Sequence, residues 1–106
     1  MRLYHNPRCS KSRKALGLLE QRGVEFETYL YLKKGVAKED MAILVTLEGI
    51  VRKKDLDKSV KIDLSNNEEV SELLESMPKL LERPILIRNG NAVIGRPPED
   101  IFTLLD

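Results

Sequence analysis

Residues 2–13 of this chain read RLYHNPRCSKSR, a short strand pattern that passes through a turn and a cysteine into a helix pattern. The pair Asn6-Pro7 predicts the turn, because proline disfavours helical geometry in the residue before it. From Ser10 to Arg22 apolar residues recur at helical spacing, and Gly23 then supplies a left-handed helix end. The only cysteine, Cys9, therefore stands where a strand leads directly into a helix.

The residues that follow extend this opening with one strand and two helices. Val24–Leu30 alternates in polarity and is rich in β-branched and aromatic residues, which predicts a second strand. A helix is predicted over Lys38–Leu47, where apolar residues occupy one face. A more regular helix is predicted from Ser65, whose hydroxyl is expected to form a capping box with Glu68.

The C-terminal third predicts a hairpin followed by a helix. Apolar stretches at Pro84–Arg88 and Ala92–Ile94 flank Asn89-Gly90-Asn91, and Asn-Gly favours a tight hairpin because both residues tolerate positive φ. Pro97-Pro98 then opens a final helix. The order β-α-β, helical middle, β-β-α is that of the thioredoxin-like fold, so we predict an α/β protein with a four-stranded mixed sheet.

Composition narrows the classes of function. The chain has 106 residues, of which 42% are hydrophobic and 33% charged, and its net charge is +1. This length predicts a single domain, 1–106, with a helical insertion at about 37–81. The near-zero charge argues against nucleic acid, and no apolar run approaches the roughly 20 residues of a membrane helix. One cysteine and no signal-peptide pattern predict a cytoplasmic protein.

The position of Cys9 predicts a reactive thiol. Unpaired backbone N–H groups and the positive dipole end of a helix stabilise a thiolate over a thiol. A lone cysteine can also be a small buried apolar residue. The neighbours Pro7, Arg8, Ser10 and Lys11 are polar and turn-like, which favours an exposed reactive group.

Residue spacing separates three kinds of cysteine chemistry. An arginine six positions after the cysteine would close a phosphatase-type anion loop, but that position is Ala15. A dithiol oxidoreductase needs Cys-x-x-Cys, and here the second position is Ser12. A monothiol mechanism is left, in which the second thiol comes from glutathione or a partner protein.

The stretch Tyr4–Arg13 resembles the N-terminal signature of the glutaredoxin-linked, ArsC-like arsenate reductases. The segments Glu82–Ile85 and Gly95–Glu99 resemble that family's second-arginine and third-arginine motifs. The resemblance implies that the Cys9 thiolate attacks arsenate or a similar oxyanion, with glutathione as co-substrate and glutaredoxin as partner. It implies no bound cofactor and no metal, and we expect a monomer.

The resemblance also implies an oxyanion site built from arginines. Arg83 and Arg96 fit this role, because arsenate resembles phosphate and favours planar, permanently charged, bidentate donors. Arg52 is the best match for a further arginine, although the chain is shortened around 47–54 and a basic run is often only a solvated surface. Pro84 is expected to follow a cis peptide bond that faces the thiol.

Two further residues are candidates for supporting roles. His5 is interpreted either as an imidazolium that favours the thiolate or as a residue with a structural hydrogen bond. Ser12 is interpreted either as a donor to the Cys9 sulfur or as a residue that holds the first helical turn.

Two other functions stay open at this point. Spx-type regulators share the predicted fold and bind RNA polymerase, although many of them have a second cysteine where this chain has Ser12. Monothiol glutaredoxin-like oxidoreductases with another substrate also use Cys-x-x-Ser, and they have an aromatic residue where this chain has Lys11.

Overall fold

A computed structural model describes residues 1–105 and contains one four-stranded sheet. The strands are β1 (Arg2–Tyr4), β2 (Glu27–Tyr29), β3 (Ile85–Arg88) and β4 (Asn91–Ile94), in the order β2-β1-β3-β4. β1 runs parallel to β2 and antiparallel to β3, and β4 runs antiparallel to β3. The mixed sheet predicted from the sequence is therefore confirmed.

Helices connect and cover these strands. The α-helices are α1 (Ser10–Arg22), α2 (Tyr31–Lys34), α3 (Lys38–Leu44) and α4 (Asn67–Ser76). Three 3-10 helices cover Lys53–Asp55, Pro78–Leu80 and Pro98–Leu104 of the described residues. None of the helices in the described part of the chain is long and apolar enough to cross a membrane.

Several element boundaries differ from the predicted ones. Only Glu27–Tyr29 of the second predicted strand is paired, because β1 offers just three partner residues. The helix predicted over Lys38–Leu47 ends earlier, at Leu44, where isolated turns follow. The closing helix adopts the tighter 3-10 geometry throughout, which is unusual for a segment of seven residues.

The predicted capping box at the start of α4 is wrong. Asn66 is the N-cap, and its side-chain oxygen accepts hydrogen bonds from the backbone N–H groups of Glu68 and Glu69 at 3.0 and 3.2 Å. The Ser65 hydroxyl instead donates to the Asp63 carboxylate. Asparagine is at least as good an N-cap as serine, so a sequence with both in succession leaves the helix start ambiguous by one residue.

The sheet separates two apolar clusters, since alternate residues of a strand face opposite sides. On one side Leu3 and Leu86 pack against α1 and the C-terminal 3-10 segment through Ala15, Leu19 and Ile101. The larger cluster on the other side includes Tyr4, Tyr29, Tyr31, Leu44, Leu74, Leu80, Leu81 and Ile85. The two layers hold the sheet between them.

One row of residues across the sheet determines where the loops meet. Tyr29, Tyr4, Ile85 and Ile94 are successive partners across the four strands. β1, β2 and β4 end at this row, whereas β3 begins there. The segments after β1, β2 and β4 and the segment before β3 therefore leave the sheet at the same edge.

The β3–β4 turn lies at the opposite edge. Arg88 pairs with Asn91, and the two turn residues adopt positive φ, 51° at Asn89 and 78° at Gly90. The predicted Asn-Gly hairpin is confirmed.

Gly95 brings the segment after β4 against the segment before β3. Its N–H donates to the Pro84 carbonyl at 2.8 Å. A Cβ at this position would lie 2.9 Å from Pro84 Cγ and 3.0 Å from Ile101 Cγ2, closer than side chains normally approach. Only glycine fits here without movement of the neighbours.

We therefore expect Gly95→Ala to lower the free energy of unfolding by about 1–3 kcal/mol, the usual cost of overpacking. Gly17→Ala is the matched control, because nothing lies within 4 Å of a Cβ at Gly17 and alanine favours the interior of α1. This control should gain about 0.5–1 kcal/mol. Urea unfolding monitored by circular dichroism measures both, and equal effects of the two substitutions would contradict the close approach at Gly95.

Candidate active site

Cys9 is the N-cap residue of α1. Its backbone is extended, with φ −92° and ψ 122°, and its carbonyl accepts the first helical hydrogen bond from Arg13 N–H at 3.0 Å. Its own N–H donates to the Asn6 carbonyl at 3.0 Å, which closes the turn predicted from Asn6-Pro7. The thiol is half-buried and free. The helix N-terminus thus presents its unpaired N–H groups to the sulfur.

The surroundings of the sulfur favour the thiolate. Burial raises the pKa of the Cys9 thiol, but hydrogen bonds from the backbone N–H groups of Ser12 and Lys11 and from the Arg83 side chain outweigh it. The net pKa is lower than its ordinary value of 9.0. The same hydrogen-bond donors also stabilise an anionic group that is bonded to the Cys9 sulfur.

His5 and Ser12 hold the turn in front of the thiol. His5 Nδ1 and Ser12 Oγ are 2.7 Å apart, and Ser12 Oγ accepts a hydrogen bond from Asn6 N–H at 3.0 Å. Burial lowers the pKa of His5, so the imidazole is neutral at pH 7. Both residues therefore have a hydrogen-bond partner in this turn, and their roles toward the thiolate stay predictions.

Arg83 stands directly before β3, and its peptide bond to Pro84 is cis, as predicted. The peptide bond between Arg96 and Pro97 is also cis. The Arg83 guanidinium lowers the pKa of the Cys9 thiol, and its Nη1 atom donates to the Lys79 carbonyl at 3.4 Å. Its Nε atom is buried and has no hydrogen-bond partner within residues 1–105. An open cleft of about 320 Å³ lies beside it, lined by Asn6, Leu32, Asp55, Lys79 and Arg83.

Glu82 connects the other two arginines. Its Oε1 atom lies 2.7 Å from Arg52 Nη1 and 3.5 Å from Arg96 Nη1. The same oxygen accepts a hydrogen bond from the Arg83 backbone N–H at 3.1 Å. Arg96 Nη1 also donates to the Arg83 carbonyl at 3.0 Å. One carboxylate thus holds Arg52 and Arg96 next to the backbone of Arg83.

Backbone pairing brings Arg52 to this position. Arg52 N–H donates to the Leu80 carbonyl at 2.8 Å, and Glu82 N–H donates to the Ile50 carbonyl at 2.7 Å. The Arg52 side chain is 8% exposed, and its Nε atom donates to Asp55 at 2.9 Å. Burial lowers the pKa of Arg52, but the hydrogen bonds to Asp55 and Glu82 raise it by more. The net pKa is above its ordinary value, so the guanidinium stays charged.

The amino-acid sequence of this chain matches a known protein family. The sequence model of the ArsC family covers residues 4–104. This chain belongs to the ArsC family. It is 41% identical to the uncharacterized protein YfgD of Escherichia coli K12, over 99% of this chain and 96% of that protein. It is 40% identical to an arsenate reductase of Neisseria meningitidis serogroup A, over 99% of this chain and 97% of that protein.

Solved structures of ArsC proteins agree with the fold. An arsenate reductase structure from Vibrio cholerae superposes with a TM-score of 0.79 at 32% identity and covers 97% of each chain. The thioredoxin-like fold and the family resemblance predicted from the motifs are thereby confirmed. Both were visible in the sequence because the ArsC motifs surround the residues that meet at the sheet edge.

The sequence prediction found most residues at this edge but missed two. The Arg83 side chain lowers the pKa of the Cys9 thiol, and one carboxylate brings Arg96 and Arg52 together. Their roles in an oxyanion site stay predictions. The sequence indicates Glu82 only as part of the Glu82–Ile85 motif, and Tyr31 lies between the strand predicted over Val24–Leu30 and the helix predicted over Lys38–Leu47. Glu82 was detectable in principle, since arginines that converge need an anion to balance them.

We expect the pH dependence of Cys9 alkylation to show the lowered thiol pKa. The rate of reaction with iodoacetamide should reach half its maximum below pH 9.0, the ordinary value. Arg83→Gln removes a hydrogen-bond donor and a positive charge from the sulfur, so the midpoint should move upward. Arg8→Gln removes the same charge from an exposed neighbour and should leave the midpoint close to that of the wild type. Equal shifts in the two variants would contradict a specific contact with Arg83.

His5 makes a pH-dependent contribution to stability with a defined sign. Because its pKa is lower in the folded state than the ordinary 6.5, the unfolded chain binds more protons as the pH falls. The contribution is complete above pH 6.5 and is lost as the pH falls toward the folded pKa. We expect the free energy of unfolding to fall between pH 7.5 and 5.5 in the wild type, and to fall less in His5→Gln.

His5 is the only histidine in the chain, so no other imidazole titrates in this range. Urea unfolding at several pH values measures the effect. An identical pH dependence in wild type and His5→Gln would show that His5 is not held neutral by the fold.

Proposed function

We propose that this protein reduces arsenate to arsenite, with Cys9 as the nucleophile and with glutathione and glutaredoxin as the reducing system. The observation that carries the proposal is the Cys9 thiol at the start of α1, stabilised as a thiolate by backbone N–H groups and by Arg83. Membership in the ArsC family and the relatives named arsenate reductase support arsenate as the substrate.

The charges of the site suit a tetrahedral oxyanion. The Arg83 charge favours the Cys9 thiolate, and Arg96 and Arg52 lie around Glu82 next to the Arg83 backbone. Guanidinium groups bind such anions through planar pairs of N–H donors and keep their charge at any physiological pH. In the proposed first step the Cys9 thiolate attacks arsenic, an S–As bond forms and an As–O bond breaks. The departing arsenate hydroxyl takes up one proton from solvent and leaves as water.

The second thiol of the reaction comes from outside the chain, because Cys9 is its only cysteine. The glutathione thiol forms a disulfide with the Cys9 sulfur, and the two electrons given up by the two sulfurs reduce As(V) to As(III), which leaves as arsenite. Glutaredoxin then takes the glutathione from the mixed disulfide and restores the Cys9 thiol. The balance is one arsenate and two thiols consumed, with one arsenite, one disulfide and one water formed.

We expect purified protein to form arsenite when it is supplied with arsenate, glutathione, glutaredoxin, glutathione reductase and NADPH. Cys9→Ser should give no arsenite above the background without protein. Ser10→Ala is the matched control, because it changes an exposed residue next to the nucleophile and should retain activity. NADPH oxidation and direct measurement of arsenite together follow the reaction.

Different negative results have different meanings. Arsenite formation that needs thioredoxin instead of glutaredoxin would keep the reductase and overturn the proposed reducing system. No arsenite with either system would overturn arsenate as substrate. Capture of RNA polymerase by the wild type and equally by Cys9→Ser would then favour the regulatory alternative.

A further inference from the structure

Tyr31 carries a buried hydroxyl group that the fold leaves without a partner. It is the first residue of α2, its side chain is 0% exposed, and its ring stacks on Tyr4 with the centroids 6.0 Å apart. The Tyr31 hydroxyl has no hydrogen-bond partner among the described residues. Buried polar groups are almost always paired in folded proteins, so such a group calls for a functional explanation.

The two neighbouring tyrosines show what a structural hydroxyl does in this core. The Tyr4 hydroxyl donates to Asp40 Oδ2 at 2.7 Å and accepts from Ala37 N–H at 3.1 Å. The Tyr29 hydroxyl donates to the Gly35 carbonyl at 2.8 Å. Three tyrosine rings therefore lie in contact on one face of the sheet, and the two structural ones are satisfied by nearby backbone or carboxylate groups.

The only other buried side-chain nitrogen or oxygen without a partner in the described part of the chain is Arg83 Nε. Tyr31 follows the carboxyl end of β2, Cys9 follows that of β1, and Arg83 precedes β3, all at the row of residues where these strands meet. The two unpartnered donors thus belong to the same sheet edge as the thiol.

The electrostatics of Tyr31 agree with this placement. Burial raises the pKa of its phenol to about 12, the Arg83 charge lowers it, and the Cys9 charge raises it. The charges of Arg52 and Glu82 also act on it. The phenol is therefore protonated at neutral pH and is available as a hydrogen-bond donor next to the site.

We propose that Tyr31 is a substrate-binding residue whose hydroxyl donates a hydrogen bond to an oxygen of the oxyanion at Cys9, alongside the Arg83 Nε–H group. This inference rests on the proposed function, because it names a further donor for the same anion. A tetrahedral oxyanion presents several acceptor oxygens, and Tyr31 at the start of α2 and Arg83 before β3 offer it donors from two different segments. Hydrogen bonds to charged groups are the strong ones, so this donor is expected to matter for affinity.

Substitution by phenylalanine distinguishes a substrate-binding role of the Tyr31 hydroxyl from a purely structural one. Removing a hydroxyl that has no partner in the free protein costs no folding stability, whereas removing a paired one does. We therefore expect Tyr31→Phe to unfold at a urea concentration equal to or above that of the wild type. Tyr4→Phe, the matched control, removes the hydroxyl that pairs with Asp40 and should unfold at a lower concentration.

The decisive measurement is protection of Cys9 from iodoacetamide by arsenate, with each variant's rate without arsenate as its own reference. In Tyr31→Phe the arsenate concentration that gives half protection should rise about tenfold, the size expected for a hydrogen bond to a charged group. In Tyr4→Phe it should equal that of the wild type. Steady-state arsenite formation should show a matching rise in the KM for arsenate.

The possible failures are distinguishable. Half protection in Tyr31→Phe at the wild-type arsenate concentration would overturn the role of Tyr31 and leave the proposed function intact. A loss of stability in Tyr31→Phe as large as that in Tyr4→Phe would assign the hydroxyl to the fold and also overturn it. Absence of protection in the wild type would remove arsenate as ligand, and the inference with it.

Discussion

The pairing of β1 with a strand on each side is the constraint on which the rest of the structure depends. Its backbone hydrogen bonds to β2 and β3 align Tyr4 with Tyr29 and with Ile85. A slip of one residue in either pairing would move every side chain of that strand to the other face. It would also move Cys9, Arg83 and Tyr31 relative to one another, since each follows or precedes the paired row by only a few residues.

A second constraint is the balance of charge at the sheet edge where β1, β2 and β4 end and β3 begins. Arg52 and Arg96 would repel each other without a counter-charge, and Glu82 supplies it by contacting both. Arg83 contributes only its backbone N–H to this carboxylate, so its side chain stays available to the sulfur. The carboxylate thus holds Arg52 and Arg96, whereas the Arg83 guanidinium donates to the Lys79 carbonyl at 3.4 Å and keeps an unpartnered Nε atom among the described residues.

The sequence predicted features that depend on neighbouring residues and missed those that depend on distant ones. The start of α1 at Cys9, its end at Gly23 and the Asn-Gly hairpin each follow from local backbone preferences. The choice between Ser65 and Asn66 as helix cap was a local tie that the pattern could not resolve. Glu82 and Tyr31 gain their importance only from side chains on other elements, and no spacing rule within one segment reveals them.

The hairpin places the two Arg-Pro segments and the turn at opposite ends of β3 and β4. Arg83 and Arg96 flank the base of β3 and β4, whereas Asn89 and Gly90 form the tip at the other end. Because Gly95 fastens the base to Pro84, changes in the length of the tip do not reach the arginines. Loops of different size, or a short inserted tag, are therefore tolerated at Asn89-Gly90 in a way they are not at either Arg-Pro segment.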